Sequence, residues 1–253
     1  MRDPRSILIT GASSGIGEAL ALAYAGPGVS LALGGRDAKR LTAVADACMD
    51  RGAQTRHDIV DVGDRQGTAK WIVDVEGGAP VDLVIANAGI GAGTDEGHED
   101  ERQTRDIFAV NVDGVFNTVL PLIPRFVARR RGQIALMSSL ASFRGFPGAP
   151  TYCASKAAVR VWGEGLRGDL APSGVEVSVI CPGFVVSRMT AQNKFRMPLL
   201  MSAERAAGIV KRGLDRNRGR IAFPWPMYAA VWFVAGLPPF LTDLLLARLP
   251  KKQ

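Results

Sequence analysis

The stretch Ser6-Ile7-Leu8-Ile9-Thr10-Gly11-Ala12-Ser13-Ser14-Gly15-Ile16-Gly17 reads as a short buried strand that breaks into a glycine-rich turn, with a helical pattern running on from Glu18 to Ala25. Its apolar opening is too short for a helix and is bounded by turn residues, the mark of a strand covered on both faces. A turn of this kind lets backbone N–H groups come close to a pyrophosphate, and the following helix N-terminus adds partial positive charge. The glycines stand at 11, 15 and 17, so the spacing is T-G-x-x-x-G-x-G and not G-x-G-x-x-G. Taken alone, the same residues also suit a tight turn with no ligand.

Outward from there, strand and helix patterns alternate. A second strand, Val29 to Leu33, ends in Gly34-Gly35-Arg36-Asp37, and helical sequence follows from Ala38 to Asp50. A third strand covers Gln54 to Val60 and closes on Asp61-Val62. A fourth, Val81 to Ala86, ends in Asn87-Ala88-Gly89. A long helix from Gln103 carries Asn111 near its middle, a fifth strand is Gln133 to Met137, and a sixth, Glu176 to Cys181, runs into Pro182-Gly183-Phe184-Val185. Such alternation with short links predicts an α/β fold: a single Rossmann-type, doubly wound parallel sheet of about seven strands flanked by helices. One domain over 1–223 is expected, followed by an apolar extension over 224–253.

Individual positions carry chemistry. At the end of a second strand an acidic side chain accepts from a ribose 2′-hydroxyl, whereas an arginine suits a 2′-phosphate. Arg36 stands there and favours NADP(H), while the adjacent Asp37 keeps NAD(H) as the alternative. Asp61 is expected at the height of the adenine ring, with Asp58 as its competitor and a helix N-cap as its plain structural use. Asn87 can tie strand ends together beneath a cofactor. Asparagine inside a helix is unfavourable unless its side chain has a task, which singles out Asn111.

Between Ser139 and Lys156 the sequence places a hydroxyl pair, Ser138-Ser139, at a strand end, then a loop, then a helix opened by Pro150. Tyr152 and Lys156 are four residues apart and share one helix face. A free phenol titrates near 10, too high for acid–base work at neutral pH; a nearby ammonium is expected to pull it down. An ordinary amphipathic helix with one Tyr and one Lys is the plain reading of that pair alone.

Composition narrows the field. The 253 residues include 47% hydrophobic and 22% charged, an ordinary globular balance. The net charge of +7 points to an anionic ligand or surface. Much of the excess is local, at Arg129-Arg130-Arg131, at Arg216, Arg218 and Arg220, and at Lys251-Lys252, with no aromatic-rich basic stripe, which argues against nucleic acid. Cys48, Cys153 and Cys181 are odd in number and fit a reducing compartment, and with only His57 and His98 no metal site is expected. No apolar signal region precedes the first strand, so a cytoplasmic location, with peripheral membrane association as an addition, is expected.

Taken together, Thr10-Gly11-x-x-x-Gly15-x-Gly17, Asn87-Ala88-Gly89, Asn111, Ser139, Tyr152-x-x-x-Lys156 and Pro182-Gly183 resemble the short-chain dehydrogenase/reductase family, over about Ser6 to Phe223. The Ser139-to-Tyr152 interval matches the family's. The resemblance implies an NADP-dependent oxidoreductase passing hydride between nicotinamide and a carbonyl or secondary alcohol. By it, Tyr152 is the general acid or base, Lys156 lowers its pKa and binds the nicotinamide ribose, Ser139 orients the substrate oxygen, and Asn111 holds a relay water. Gly11, Ser13, Ser14, Gly15, Ile16, Gly17, Arg36, Asp61, Val62, Asn87, Ala88, Gly89, Pro182, Gly183 and Val185, with Tyr152 and Lys156, bind the cofactor. A homodimer or homotetramer is implied. A non-catalytic NADP-binding scaffold or sensor is the alternative, and the intact Ser139–Tyr152–Lys156 trio argues against it.

By the same resemblance, substrate is expected to be covered by the loops Ile90–Asp100, Leu140–Pro150 and Phe184–Met201. Met189, Phe195, Met197, Leu199, Leu200 and Met201, with Phe143 and Phe146, predict an apolar, adaptable pocket for a lipid-like or steroid-like molecule. The tail differs in kind. From Ile221 through Thr242 no residue is charged, and Pro224, Pro226, Pro238 and Pro239 leave Met227 to Leu237 as the longest expected helix, too short to span a bilayer. Two readings stand: Trp225, Tyr228 and Trp232 meet a membrane surface, or the segment packs across a subunit interface.

Overall fold

A computed structural model describes residues 3–91, 99–193, 195–238 and 240–242. The apolar runs become strands and the segments between them helices, in strict alternation at first. In chain order they are β1 (Ser6–Thr10), α1 (Gly15–Tyr24), β2 (Ser30–Gly35), α2 (Ala38–Met49), β3 (Gln54–Ile59), α3 (Arg65–Gly78) and β4 (Leu83–Ala86). The second half contains α4 (Glu101–Phe108), α5 (Gly114–Val119), α6 (Ile123–Arg129), β5 (Gly132–Met137), α7 (Pro150–Leu170) and β6 (Val175–Pro182). It closes with α8 (Arg188–Ala191), α9 (Ala203–Asp215), β7 (Arg220–Phe223) and α10 (Trp225–Ala235).

All seven strands pair in parallel, in the order β3-β2-β1-β4-β5-β6-β7. Alternate side chains serve opposite layers. Ile7 and Ile9 of β1 join α1, α2 and α9 in one core, while Leu8 joins α3, α5, α6 and α7 in the other. The strand order reverses between β1 and β4, and the crevice outside their carboxyl ends is where such sheets hold ligands.

Three local results differ from expectation. The first helix begins at Gly15, not Glu18, so Gly15 and Gly17 belong to its first turn. The helix around Asn111 is not continuous: α4 ends at Phe108, a π-helical turn covers Ala109–Asp113, and α5 follows. Such a turn widens the helix locally and is frequent at functional sites. The tail helix starts two residues earlier than expected, because Pro226 falls in its first turn, where a missing N–H costs nothing. Among the described residues one stretch, Glu101–Arg129, is long and apolar enough to cross a bilayer. In this fold it lies against the sheet and buries Ile107, Val115, Val119 and Phe126.

Candidate active site

The cleft is built from the glycine turn outward. Gly11 has φ +66°, and a β-carbon there would stand 2.8 Å from Ala88 Cα. A β-carbon at Gly17 would collide with the Gly11 carbonyl, so the turn and the first coil of α1 touch backbone to backbone. Asn87 locks this arrangement as expected: its Nδ2 donates to the carbonyls of Thr10 (3.0 Å) and Gly11 (3.2 Å). Thr10, which no sequence argument placed in the site, completes the clasp. Its Oγ1 accepts from the N–H groups of Asn87 (3.1 Å) and Ala88 (3.2 Å).

The N-terminus of α1 points into the cleft without a side-chain cap. Ser14 makes no capping bond, whereas Asp37, Asp64, Asp100 and Ser202 cap α2, α3, α4 and α9. Its first N–H groups are thus left for a ligand. The cleft has a volume of about 670 Å³. Of the expected cofactor residues it is lined by Gly11, Ser13, Ser14, Gly15, Ile16, Arg36, Asp61, Val62, Asn87, Ala88, Gly89, Tyr152, Lys156, Pro182, Gly183 and Val185. Gly17 and Asn111 stand behind its wall. Val60, Ile90, Val110, Ser138, Ser187, Arg188, Thr190 and Gln192 line it too; Ile90 and residues 187–192 belong to the loops expected to cover substrate and Ser138 to the hydroxyl pair, but none was singled out as a cofactor residue. A sequence signal existed for two of these: Ser187 and Thr190 form the reciprocal capping box of α8.

At the end of β2 the two competing side chains separate. Asp37 caps α2 by accepting from Arg40 N (3.0 Å) and pairs with the Arg40 guanidinium (2.7 Å). Arg36 is exposed at the cleft rim, and Arg40 lines the same rim. Asp61 lines the cleft and bonds Gly63 N (3.0 Å); the N-cap of α3 is Asp64, so the plain structural use considered for Asp61 is not realised. Asp58 is outside the cleft, engaged by Arg56 (2.8 Å) and by Trp71 Nε1 (2.8 Å).

Helix α7 brings the reacting side chains to the other end of the cleft. The half-buried Tyr152 lines the cleft together with Ser139, whose Oγ accepts from Ala141 N (3.1 Å). Lys156 is buried (3% exposed), donates from Nζ to the Met137 carbonyl (3.0 Å), and stands 5.9 Å from the Tyr152 ring centroid. Asn111 is fully buried; its Oδ1 accepts from Ile90 N (2.8 Å) and its Nδ2 donates to Ile90 O (3.0 Å) and Ser155 Oγ (3.1 Å). It therefore ties the strand end after β4 to α7. A β-carbon at Gly89 would sit 3.1 Å from both Asn111 Oδ1 and Lys156 Nζ, so glycine there lets the two approach.

One electrostatic expectation is corrected. Burial pushes the Tyr152 phenol up, with the nearby Ser139 hydroxyl offsetting part of the rise. The same burial pulls the Lys156 ammonium down to about 8. Lys156 is not among the groups that move the phenol, and desolvation disfavours the charged form of each.

The expected apolar lid is only partly in place. Of its side chains Met189 lines the cleft. Phe195 packs edge-on against Phe184 (5.8 Å), Met201 is buried in the core, and Leu199 and Leu200 are exposed. Phe143 faces away from the cleft, against Tyr228. Residues 92–98 of the first covering loop lie outside the described residues, as do Pro239, Lys251 and Lys252 of the tail.

Comparisons with known proteins agree with this fold. A family profile described as short chain dehydrogenase matches residues 5–197. An uncharacterized oxidoreductase of Myxococcus xanthus is 38% identical over 247 residues, covering 97% of this chain and 97% of the relative. One of Mycobacterium tuberculosis is 34% identical over 248 residues, covering 94% and 96%. A solved short-chain dehydrogenase from Sphingobium yanoikuyae in complex with NADPH superposes with a TM-score of 0.82 at 25% identity, covering 98% of this chain and 97% of that one. An alcohol dehydrogenase from Thermococcus sibiricus complexed with 5-hydroxy-NADP gives 0.74 at 25%, covering 87% and 95%. Fold and cleft define a nicotinamide-dinucleotide oxidoreductase of Rossmann type. Within that class the chain belongs to the short-chain dehydrogenase family and is an NAD(P)-dependent dehydrogenase/reductase.

Proposed function

We propose that the protein is an NADP-dependent oxidoreductase that interconverts a hydrophobic, lipid-like or steroid-like carbonyl and its secondary alcohol, with Tyr152 as general acid in reduction and general base in oxidation. The observation that carries this is the grouping of Ser139, Tyr152 and buried Lys156, the last two one helical turn apart, in the lining of a cleft that begins on the uncapped N-terminus of α1.

The residues present fit the dinucleotide. Gly11 and Gly15 hold positive φ, leaving no β-carbon between the backbone and a pyrophosphate. Arg36 and Arg40 offer guanidinium groups where a 2′-phosphate would lie, and Asp37 is already occupied by its cap and ion pair. That supports NADP(H) over NAD(H). When bound, the nicotinamide supplies the hydride. Ser139 donates a hydrogen bond to the substrate oxygen, Tyr152 delivers a proton to that oxygen, and Lys156 holds the ribose hydroxyls and replenishes the proton. Asn111 Oδ1 and Lys156 Nζ both border Gly89, and a relay water between them is Asn111's part in the proposal. Met189 at the cleft, with Leu199 and Leu200 exposed on the lid, supports an apolar substrate.

For the segment from residue 224 onward, two occupants follow from its composition: a second subunit of a homodimer or homotetramer, and a membrane surface. The enzyme reading is tested by a turnover screen over aliphatic, aromatic and bulky ketones with NADPH and with NADH, using Tyr152→Phe as control. Wild type and variant equally inert, with NADPH still bound, would establish a scaffold or sensor instead.

A further inference from the structure

Helix α10 has no polar side. Met227, Tyr228 and Val231 pack inward against the core. Opposite them Trp225, Trp232 and Phe233 are 73%, 62% and 64% exposed, and Phe240 beyond them is 70% exposed. A surface helix ordinarily sets charge opposite its apolar stripe, and from Ile221 through Thr242 this chain has none. An exposed patch of this kind marks a surface that meets another body.

Beside the helix lies a groove of about 590 Å³, walled by Trp232, Phe233 and Leu237 and floored by Phe143, Arg160 and Arg220. Its charge is unbalanced. Arg160 and Arg220 both pair with Glu164, and their guanidinium groups stack on the Phe143 ring at 4.6 and 5.2 Å from its centroid. Two cations share one carboxylate. The remaining partner of Arg220, the Tyr228 hydroxyl, accepts from Nη1 at 3.1 Å and brings no charge. Among the described residues one surplus positive charge therefore sits inside an aromatic patch, with the Arg160 and Arg220 side chains 18% and 33% exposed.

We propose that this face docks on an anionic lipid bilayer, with Trp225, Trp232 and Phe233 at headgroup depth and a lipid phosphate beside Arg160 and Arg220. The charge selects the occupant. A two-fold contact between copies would set the patch against itself, bringing the same surplus cation face to face with its equivalent in a dry interface. An anionic bilayer brings the opposite charge, and the chain's net +7 adds attraction at close range. Tryptophan favours that depth because its ring is apolar and its N–H polar. The inference is independent of the chemistry assigned to the cleft.

The test is density-gradient flotation of the full chain with phosphatidylcholine vesicles and with vesicles that also contain phosphatidylglycerol. The protein should float with the second, sink with the first, and be released by raised salt. The double substitution Trp232→Ser, Phe233→Ser, at exposed positions, should abolish flotation while the melting temperature and ketone turnover hold. Arg220→Gln should weaken partitioning about fivefold. If that variant misfolds, the salt series on the unaltered chain reads the same electrostatics. Wild type that stays at the bottom with phosphatidylglycerol overturns the proposal, as does equal, salt-insensitive flotation on both vesicles. So does light scattering that shows a dimer split by the double substitution with no vesicle binding.

Discussion

Around Tyr152 the protein closes its own polar network: Asn111 uses both amide hydrogens, Lys156 reaches a strand carbonyl, and Asn87 and Thr10 clasp two strand ends. On the outer side of α10 the described residues offer large apolar rings to solvent and no such network. Among the described residues the first region pairs these polar groups within one chain. The second is energetically unfinished and gains from whatever removes it from water, at about 25 cal/mol per Å² of apolar surface covered. Self-sufficiency thus separates a reaction site from a docking face more clearly than composition does.

That contrast can be broken in order of expected effect. Tyr152→Phe should lower turnover about 10²- to 10⁴-fold, as expected for loss of a general acid, with NADPH binding retained by fluorescence titration; near-normal turnover would remove Tyr152 from the chemistry. Next is pH. Lys156 falls from its ordinary 10.5 to about 8 in the folded protein. Between those values the unfolded chain holds a proton that the folded chain has lost, so this group makes stability rise with pH, by about 3 kcal/mol across the window. Cys48 and Cys181, both raised to about 11, act the opposite way above their unfolded pKa. The difference in denaturant stability between wild type and Lys156→Met, measured from pH 7 to 11, isolates the lysine. A flat difference would show that Lys156 is not desolvated in the free protein.

Gly17→Ala sharpens the comparison from the side of the fold. Its β-carbon meets the Gly11 carbonyl and Asn87, so a loss of about 1–3 kcal/mol in stability is expected, with weakened NADPH affinity, read by melting and titration. Arg36→Ala should weaken NADPH about tenfold, the loss of a charge-assisted bond, and leave NADH unchanged; an equal loss for both cofactors would deny it a 2′-phosphate. Smallest is Trp225→Ser, which should change stability by less than about 0.5 kcal/mol, as for an exposed position. A large drop in melting temperature would mean that the outer side of α10 is already packed.

Much of this was legible before folding. The strands announced themselves as apolar runs, and the Thr10–Gly17 turn, Asn87 and the Tyr152/Lys156 spacing are local patterns whose geometry follows from helix and strand periods. β7 escaped because Arg220–Phe223 is four residues long and is a strand only through its pairing with β6. The break at Asn111 escaped because a π turn has no distinctive composition. Phe143 was assigned to the substrate side on sequence proximity, yet it packs between Arg160 and Arg220, partners 17 and 77 residues away.

Sequence alone determined the layered sheet, the glycine turn, and the presence of a phenol and an ammonium on one helix face, since each depends on neighbours within a few residues. Tertiary structure alone decided that Asp37 is spent on Arg40, that burial raises the Tyr152 phenol, and that two arginines share one glutamate beside α10. Those outcomes depend on desolvation and on through-space partners. Neither quantity exists until distant segments are brought together.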